Sequence, residues 1–140
     1  MKISTQTRYA LRFLLELSKS AADNKPTTLH QIALSQGISE NYLESIATKL
    51  KRYGYLRSSK GNGGGYQLVR RPDDISLGEI MRLMESTYFQ VHCTHDAENT
   101  CVNYVHCKQA LAWENLEDRI DVLVNDIRLS ELLENCSIQC

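Results

Sequence analysis

Nowhere in its 140 residues does the chain carry an apolar run of 18, and a membrane-spanning helix needs about 20 such residues. It lacks a charged-then-apolar leader as well, because Lys2, Arg8 and Arg12 interrupt the first apolar stretch; the expectation is a chain without membrane contact that stays in the cytoplasm. No Cys-x2-Cys pair occurs, although zinc sites usually show at least one. Five cysteines are present, and an odd number without a signal peptide argues against a secreted disulfide framework and for reduced thiols with a metal or redox role. No Gly-Lys-Ser/Thr follows the glycine-rich stretch at 61–65, which weakens a phosphate-cradling reading of it. No substrate-pocket motif supports an enzyme.

A net excess of charge is also missing, the formal total being −1. The two halves differ, however. Residues 1–72 carry 12 Lys/Arg against 4 Asp/Glu, and residues 73–140 carry 4 against 13. A polyanion would dock on the first half, as on a DNA-binding head attached to an acidic regulatory or dimerising body; the plainer alternative is a solvated surface. The length allows one modest core, or two small subdomains that share an interface.

Helical spacing of Tyr9, Ala10, Phe13, Leu14 and Leu17 predicts an amphipathic helix over roughly residues 5–20, with Ser4 or Thr5 as its N-cap. Asp23-Asn24-Lys25-Pro26 ends it. Thr28-Leu29-His30-Gln31 has the form of a capping box and starts a short helix that Gly37 stops. Ser39 then caps a longer helix whose core positions are Tyr42, Leu43, Ile46, Ala47 and Leu50, with Gly54 at the favoured C-terminal glycine position. Two such helices joined by Gly-Ile-Ser have helix-turn-helix spacing.

Two short strands, 55–59 and 66–69, enclose Lys60-Gly61-Asn62-Gly63-Gly64-Gly65. A hairpin directly after a recognition helix is a wing, and Arg57, Lys60, Arg70 and Arg71 surround it with positive charge. Ser76-Leu77-Gly78-Glu79 is a second capping box and opens a helix to about Glu85, with Ile80, Leu83 and Met84 on its apolar face. From Lys108, the residues Ala110, Trp113, Leu116, Ile120, Leu123, Val124 and Ile127 step by three and four. That stripe is more than a 140-residue monomer covers easily, which predicts a dimerisation helix; packing on its own wing domain is the alternative. The tail holding Cys136 and Cys140 is expected to fray.

The predicted fold is mainly α with a small β-wing: a winged helix-turn-helix over 1–72, then a cysteine loop at about 90–107 and a dimerisation helix at about 108–127 within 73–140. In that loop Cys93, Cys101 and Cys107 are placed to hold a metal or sense redox state. His92, His95 and His106 flank them closely enough to coordinate, and His30 reads as a surface or phosphate-facing residue.

These residues resemble, over nearly the whole chain, the winged-helix regulators that include IscR, NsrR and RirA, the Rrf-two family. The resemblance rests on Thr7-Arg8-Tyr9-Ala10-Leu11-Arg12, Ile32-Ala33, Gly37-Ile38-Ser39, Tyr42-Leu43-Glu44, Leu50, Gly54, Lys60-Gly-Asn-Gly-Gly-Gly-Tyr66 and Asp74-Ile75-Ser76-Leu77. It implies a homodimeric bacterial transcription factor, not an enzyme, on a palindromic double-stranded DNA operator. An iron-sulfur cluster, 4Fe-4S or 2Fe-2S, is implied on Cys93, Cys101 and Cys107, gating DNA affinity in a repressor. The spacing C-x7-C-x5-C looks more like that of RirA than of IscR, and Ala110 stands where IscR-type proteins have a ligand histidine. NsrR-type proteins can draw a fourth ligand from an acidic residue where this chain has Arg8. The fourth ligand therefore stays open among His92, His95, His106, an acidic side chain, water or a small molecule. Thiolates suit such a cluster, and the helix start at Cys107 favours negative sulfur. Closed zinc coordination and metal-free thiols, governed by oxidation or a protein partner, are the alternatives.

The candidate DNA-binding set is Thr28, Ser39, Asn41, Tyr42, Glu44, Ser45 and Lys49, with Arg57, Lys60, Gly61, Gly63 and Gly64 of the wing. Glu44 matches the family position that reads a base. Phosphates repel a carboxylate, so its partner is the exposed amino group of cytosine in the major groove. Lys60 stands where relatives commonly place an arginine in the minor groove, keeping the charge but not the planar fork.

Overall fold

A computed structural model describes residues 3–21, 25–85, 89 and 106–134. The chain runs α1 (Thr5–Ala21), α2 (Leu29–Gln36), α3 (Glu40–Arg52), β1 (Leu56–Ser59), β2 (Gly65–Leu68), a short 3-10 turn (Pro72–Asp74), α4 (Leu77–Met84), α5 (Lys108–Asp126) and α6 (Leu129–Glu134). Cys93, Cys101, Cys136, Cys140, His92 and His95, and so most of the expected cysteine loop, lie outside the described residues.

Helix α1 is the axle of the core. Its positions Ala10, Phe13, Leu14 and Leu17 are buried at helical spacing, the wide apolar stripe that a core-facing helix needs. Ser4 starts it, accepting the Thr7 N–H on its hydroxyl at 3.2 Å. Against it pack Ile32 of α2 and Leu43, Ile46, Ala47 and Leu50 of α3. The two helix ends between them follow chain chemistry closely. Thr28 and Gln31 form the reciprocal capping box of α2, and Gly37 ends that helix at φ 63°. At the end of α3, Tyr55 N–H returns to the Leu50 carbonyl at 3.0 Å and Gly54 N–H to that of Lys51 at 3.1 Å. With Gly54 at φ 78° this is a Schellman closure, which glycine enters without steric cost. Ser39 sits at the N-cap of α3, but its hydroxyl caps nothing; the first turn is held by Leu43 N–H on the Ser39 carbonyl at 3.1 Å.

The wing is a two-stranded antiparallel hairpin with Leu56 opposite Leu68 and Ser59 opposite Gly65. It is fastened near its turn, on the free edge of β2: Thr27 and Tyr66 exchange backbone hydrogen bonds of 3.0 and 2.8 Å. Gly65 makes that possible, since a Cβ there would stand 2.6 Å from the Thr27 carbonyl oxygen.

The second half is stitched to the first by a second bridge. Leu77 N–H meets the Ile127 carbonyl and Leu129 N–H the Ile75 carbonyl, both at 2.9 Å. Leu129, Ile75, Ile80 and Met84 join the same buried cluster as α1 and α3, so the core runs across residue 72. Between α4 and α5 the closest approach is at Gly78, where a Cβ would lie 2.5 Å from Asn125 Oδ1 and 3.0 Å from Val124. Beside it Arg82 donates to Asp121 at 2.5 Å and to Asn125 at 2.6 Å.

The apolar stripe foreseen on α5 resolves into two faces. Ala110 and Val124 turn onto the protein and are buried, whereas Trp113, Leu116 and Leu123 are exposed, Leu123 at 65%. The cause is helical phase: Ala110, Glu117, Asp121 and Val124 share the α4 side, leaving Trp113, Leu116 and Leu123 a fraction of a turn away.

Candidate nucleic-acid interface

The outer face of α3 and the wing form one surface. Ser39, Asn41, Glu44, Ser45, Thr48 and Arg52 are all exposed on α3, as are Arg57, Lys60, Gly61 and Gly63 on the wing, with Gly64 half-buried. Two contacts fix the parts relative to one another. Lys51 reaches from α3 to the Ser58 hydroxyl of β1 at 2.6 Å, and His30 of α2 holds Glu40, the first residue of α3, at 2.7 Å. Both pairs join residues on different elements, so neither periodicity nor spacing reveals them. These contacts tie helix, turn and wing into one surface.

Each candidate can be placed on this surface. Glu44 projects from the middle of the exposed face of α3, between Asn41 and Thr48, which are its neighbours at helical spacing. Ser45 donates its hydroxyl to the Tyr42 carbonyl at 2.7 Å. Tyr42 is half-buried, its ring edge-on to Tyr9 of α1 at 5.5 Å, which secures the helix against α1. Thr28 is exposed, its hydroxyl engaged in the cap of α2. Lys49 is placed differently: its amine donates to the Met84 carbonyl at 3.3 Å, on the flank of α3 that meets α4.

Of the four cations expected around the hairpin, two are turned to structural use. Arg70 pairs with Glu79 at 3.1 Å, lies 5.3 Å over the Tyr55 ring and also donates to the Asp74 carbonyl. Arg71 pairs with Asp73 at 2.8 Å. Arg57 and Lys60 have no ion pair among the described residues and are the cations the wing offers outward. At its tip, Gly64 N–H closes a turn onto the Gly61 carbonyl at 3.0 Å, with Gly63 at φ 79°. Gly64 itself admits no side chain, because a Cβ would meet the Ser59 carbonyl at 2.5 Å. A narrow tip of this kind lets backbone approach a groove closely.

Two carboxylates behind the head are held in their ionised form. Burial acts to raise Glu79, but the Ser76 amide and the Arg70 guanidinium outweigh it and the group lies below its ordinary value. Glu85 follows the same pattern: burial opposes, yet the Thr7 hydroxyl and the Ser4 amide hold it below the usual range.

Of the three loop cysteines, Cys107 alone is described. It occupies the N-cap of α5, half-buried, with no hydrogen bond from its side chain to the helix. Among the described residues no group of three His, Cys, Asp or Glu is placed to hold a metal ion. Ala110, packed in the interior at 3% exposure, contributes no donor one turn later. Cys107 is one thiol of a type that a thiolate-held cluster would accept.

Residues 3–135 match the Rrf2 family, described as an iron-dependent transcriptional regulator. The chain belongs to the Rrf2 family. Similar relatives include the transcriptional regulator CymR of Bacillus subtilis, 34% identical over 132 residues, 94% of this chain and 89% of that protein. Among solved structures, IscR of T. potens superposes with a TM-score of 0.75 at 28% identity, covering 100% of this chain and 93% of that one. An oxidised form of CymR from Staphylococcus aureus gives 0.73 at 29%, with all of both chains covered. As an Rrf2 protein the chain is a winged-helix DNA-binding transcription regulator, and it is not an enzyme. No helix among the described residues is long and apolar enough to cross a membrane.

Proposed function

We propose that two copies of this chain bind a palindromic DNA operator, and that an iron-sulfur cluster on Cys93, Cys101 and Cys107 gates this binding in a cytoplasmic repressor. The observation that carries the reading is the position of Cys107: it opens the same helix, α5, that presents Trp113, Leu116 and Leu123 uncovered. A ligand at one end of a dimer-forming helix is placed to alter how two heads are spaced, and half-site spacing tolerates little error. The iron-dependent description of the family and the three-thiol donor set support the cluster. Bound there, the cluster would supply sensitivity to iron, redox state or nitric oxide.

The chain's own residues do the binding. Arg57 and Lys60 neutralise phosphates or enter the minor groove. Glu44 accepts a hydrogen bond from a cytosine amino group, with Asn41 and Ser45 beside it. Trp113, Leu116 and Leu123 close the seam and hold the two heads at a fixed separation. A second reading is regulation without a cluster, through thiol oxidation or a protein partner; it is favoured by the likeness to CymR, which has been crystallised in an oxidised form.

The deciding experiment uses protein purified without oxygen and a duplex selected by it from random sequence. Visible absorption with iron and sulfide analysis detects the cluster. The loaded protein should then bind the duplex at least about 10-fold more tightly than the apo protein, a coupling of about 1.4 kcal/mol. Cys101→Ser should remove the cluster and behave as apo, and Cys136→Ser and Cys140→Ser should change neither property. Equal affinity of loaded and apo protein at one salt concentration overturns the cluster as switch and leaves the thiol reading.

A further inference from the structure

Lys49 stands apart from the other polar residues of the recognition helix. Asn41, Ser45, Thr48 and Arg52 are exposed, whereas Lys49 is half-buried. It lies about 80° around the helix from Asn41 and about 40° beyond Ser45, at the edge of the reading face. Its amine is engaged 35 residues further along the chain, donating to the Met84 carbonyl at 3.3 Å.

Met84 is the last residue of α4. Carbonyls in the last turn of a helix have no partner within it, and they form the negative end of the helix dipole. The Glu85 N–H goes back to the Met81 carbonyl at 2.9 Å. Among the described residues Lys49 is the donor to the Met84 carbonyl, so α3 supplies a C-terminal cap of α4. The next residue grips the opposite side: the Glu85 carboxylate accepts from the Ser4 amide at 2.9 Å and the Thr7 hydroxyl at 2.5 Å, at the first turn of α1. The end of α4 is held between α1 and α3, and α3 is held in turn.

We propose that Lys49 is a positioning residue for sequence readout, which sets the roll of the recognition helix by capping α4, and not a phosphate contact. Turned to a phosphate, its amine would give up its bond to the Met84 carbonyl. Base-edge hydrogen bonds depend on helix roll to within a fraction of an ångström, whereas non-specific binding depends on the number of phosphates neutralised. Loss of Lys49 therefore removes specificity and spares non-specific affinity. The inference needs only the DNA-binding function, with or without a cluster.

The test compares Lys49→Met with Lys60→Met on two probes: a duplex selected from random sequence by the wild-type protein, and a scrambled duplex of the same composition, each over a range of salt. Lys49→Met should weaken the selected duplex about 5- to 10-fold, leave the scrambled one within about twofold and keep the salt slope, since no counterion-releasing contact is lost. Lys60→Met should weaken both and lower the slope by roughly 0.9, one phosphate contact. Lys49→Arg keeps a donor of similar reach and should bind the selected duplex within about twofold of wild type. It decides the matter if Lys49→Met does not fold: a loss equal on both duplexes overturns the proposal. Adding Glu85→Gln to Lys49→Met should cost less than the sum of the two single losses, because both grip one helix end. A slope reduced by about 0.9 in Lys49→Met, or unchanged affinity for the selected duplex, would also overturn it.

Discussion

Helices α3 and α5 both leave a face bare in the single chain, and the two faces could hardly differ more. That of α3 is polar, with Asn41, Glu44, Ser45, Thr48 and Arg52 beside the cationic wing; that of α5 is apolar, with Trp113, Leu116 and Leu123. A polar face in water costs nothing and waits for a ligand that exchanges hydrogen bonds. An apolar face in water is a standing cost, which the proposed second copy would remove. On the proposed reading, the same degree of exposure would mean an intermittent partner in one place and a constant partner in the other.

The comparison breaks most visibly at α5. Leu123→Glu puts a charge on a residue that is 65% exposed in the single chain, so folding of the head should survive, while a dimer that buries the charge unpaired would lose several kcal/mol. Light scattering should report a folded monomer; a dimer of unchanged mass would place the seam elsewhere.

At α3 the expected effects are smaller and selective. Glu44→Ala should relax preference at one base pair by about 1–3 kcal/mol in a selection experiment, while Lys60→Ala weakens every sequence and flattens the salt dependence. Equal losses on all sequences for both variants would erase the division between reader and anchor.

The smallest effect concerns the carboxylates behind the head. Glu79 and Glu85 both lie below their unfolded value of 4.5. Their stabilisation is complete above that value and is lost as pH falls through the lowered folded values. Thermal stability should therefore drop on acidification below about pH 4.5, and Glu79→Gln should make that acid limb shallower. An identical limb in the variant would remove Glu79 from the account.

Local chemistry made most of the fold readable in advance. Thr28 with Gln31, and Ser76 with Glu79, announce α2 and α4 through contacts three residues apart, and Gly37 and Gly54 mark the ends of α2 and α3. The outward face of α3 follows from helical phase in the same way. What escaped is mostly non-local. Arg70 looks like a wing cation until Glu79 claims it. Lys49 looks like its exposed neighbours until the end of α4 arrives beside it. Ser39 has the right residue type for a cap, but its hydroxyl does not reach a backbone N–H. The stripe on α5 was visible, yet its division between α4 and open solvent depends on where Gly78 lets the two helices touch.

The bridge between Ser76 and Arg128 gives α5 unequal ends. At its far end the chain returns through Ile127 and Leu129 into the core of the head, so that end is clamped like a beam set in a wall. The near end, at Cys107, has no such bond to the core among the described residues. Rotation applied at Cys107 would pass along the beam as torsion and arrive at the clamp, whose other jaw is the start of α4. Such a part would work as a torsion bar, storing a small twist at one end and delivering it as a change of angle at the other.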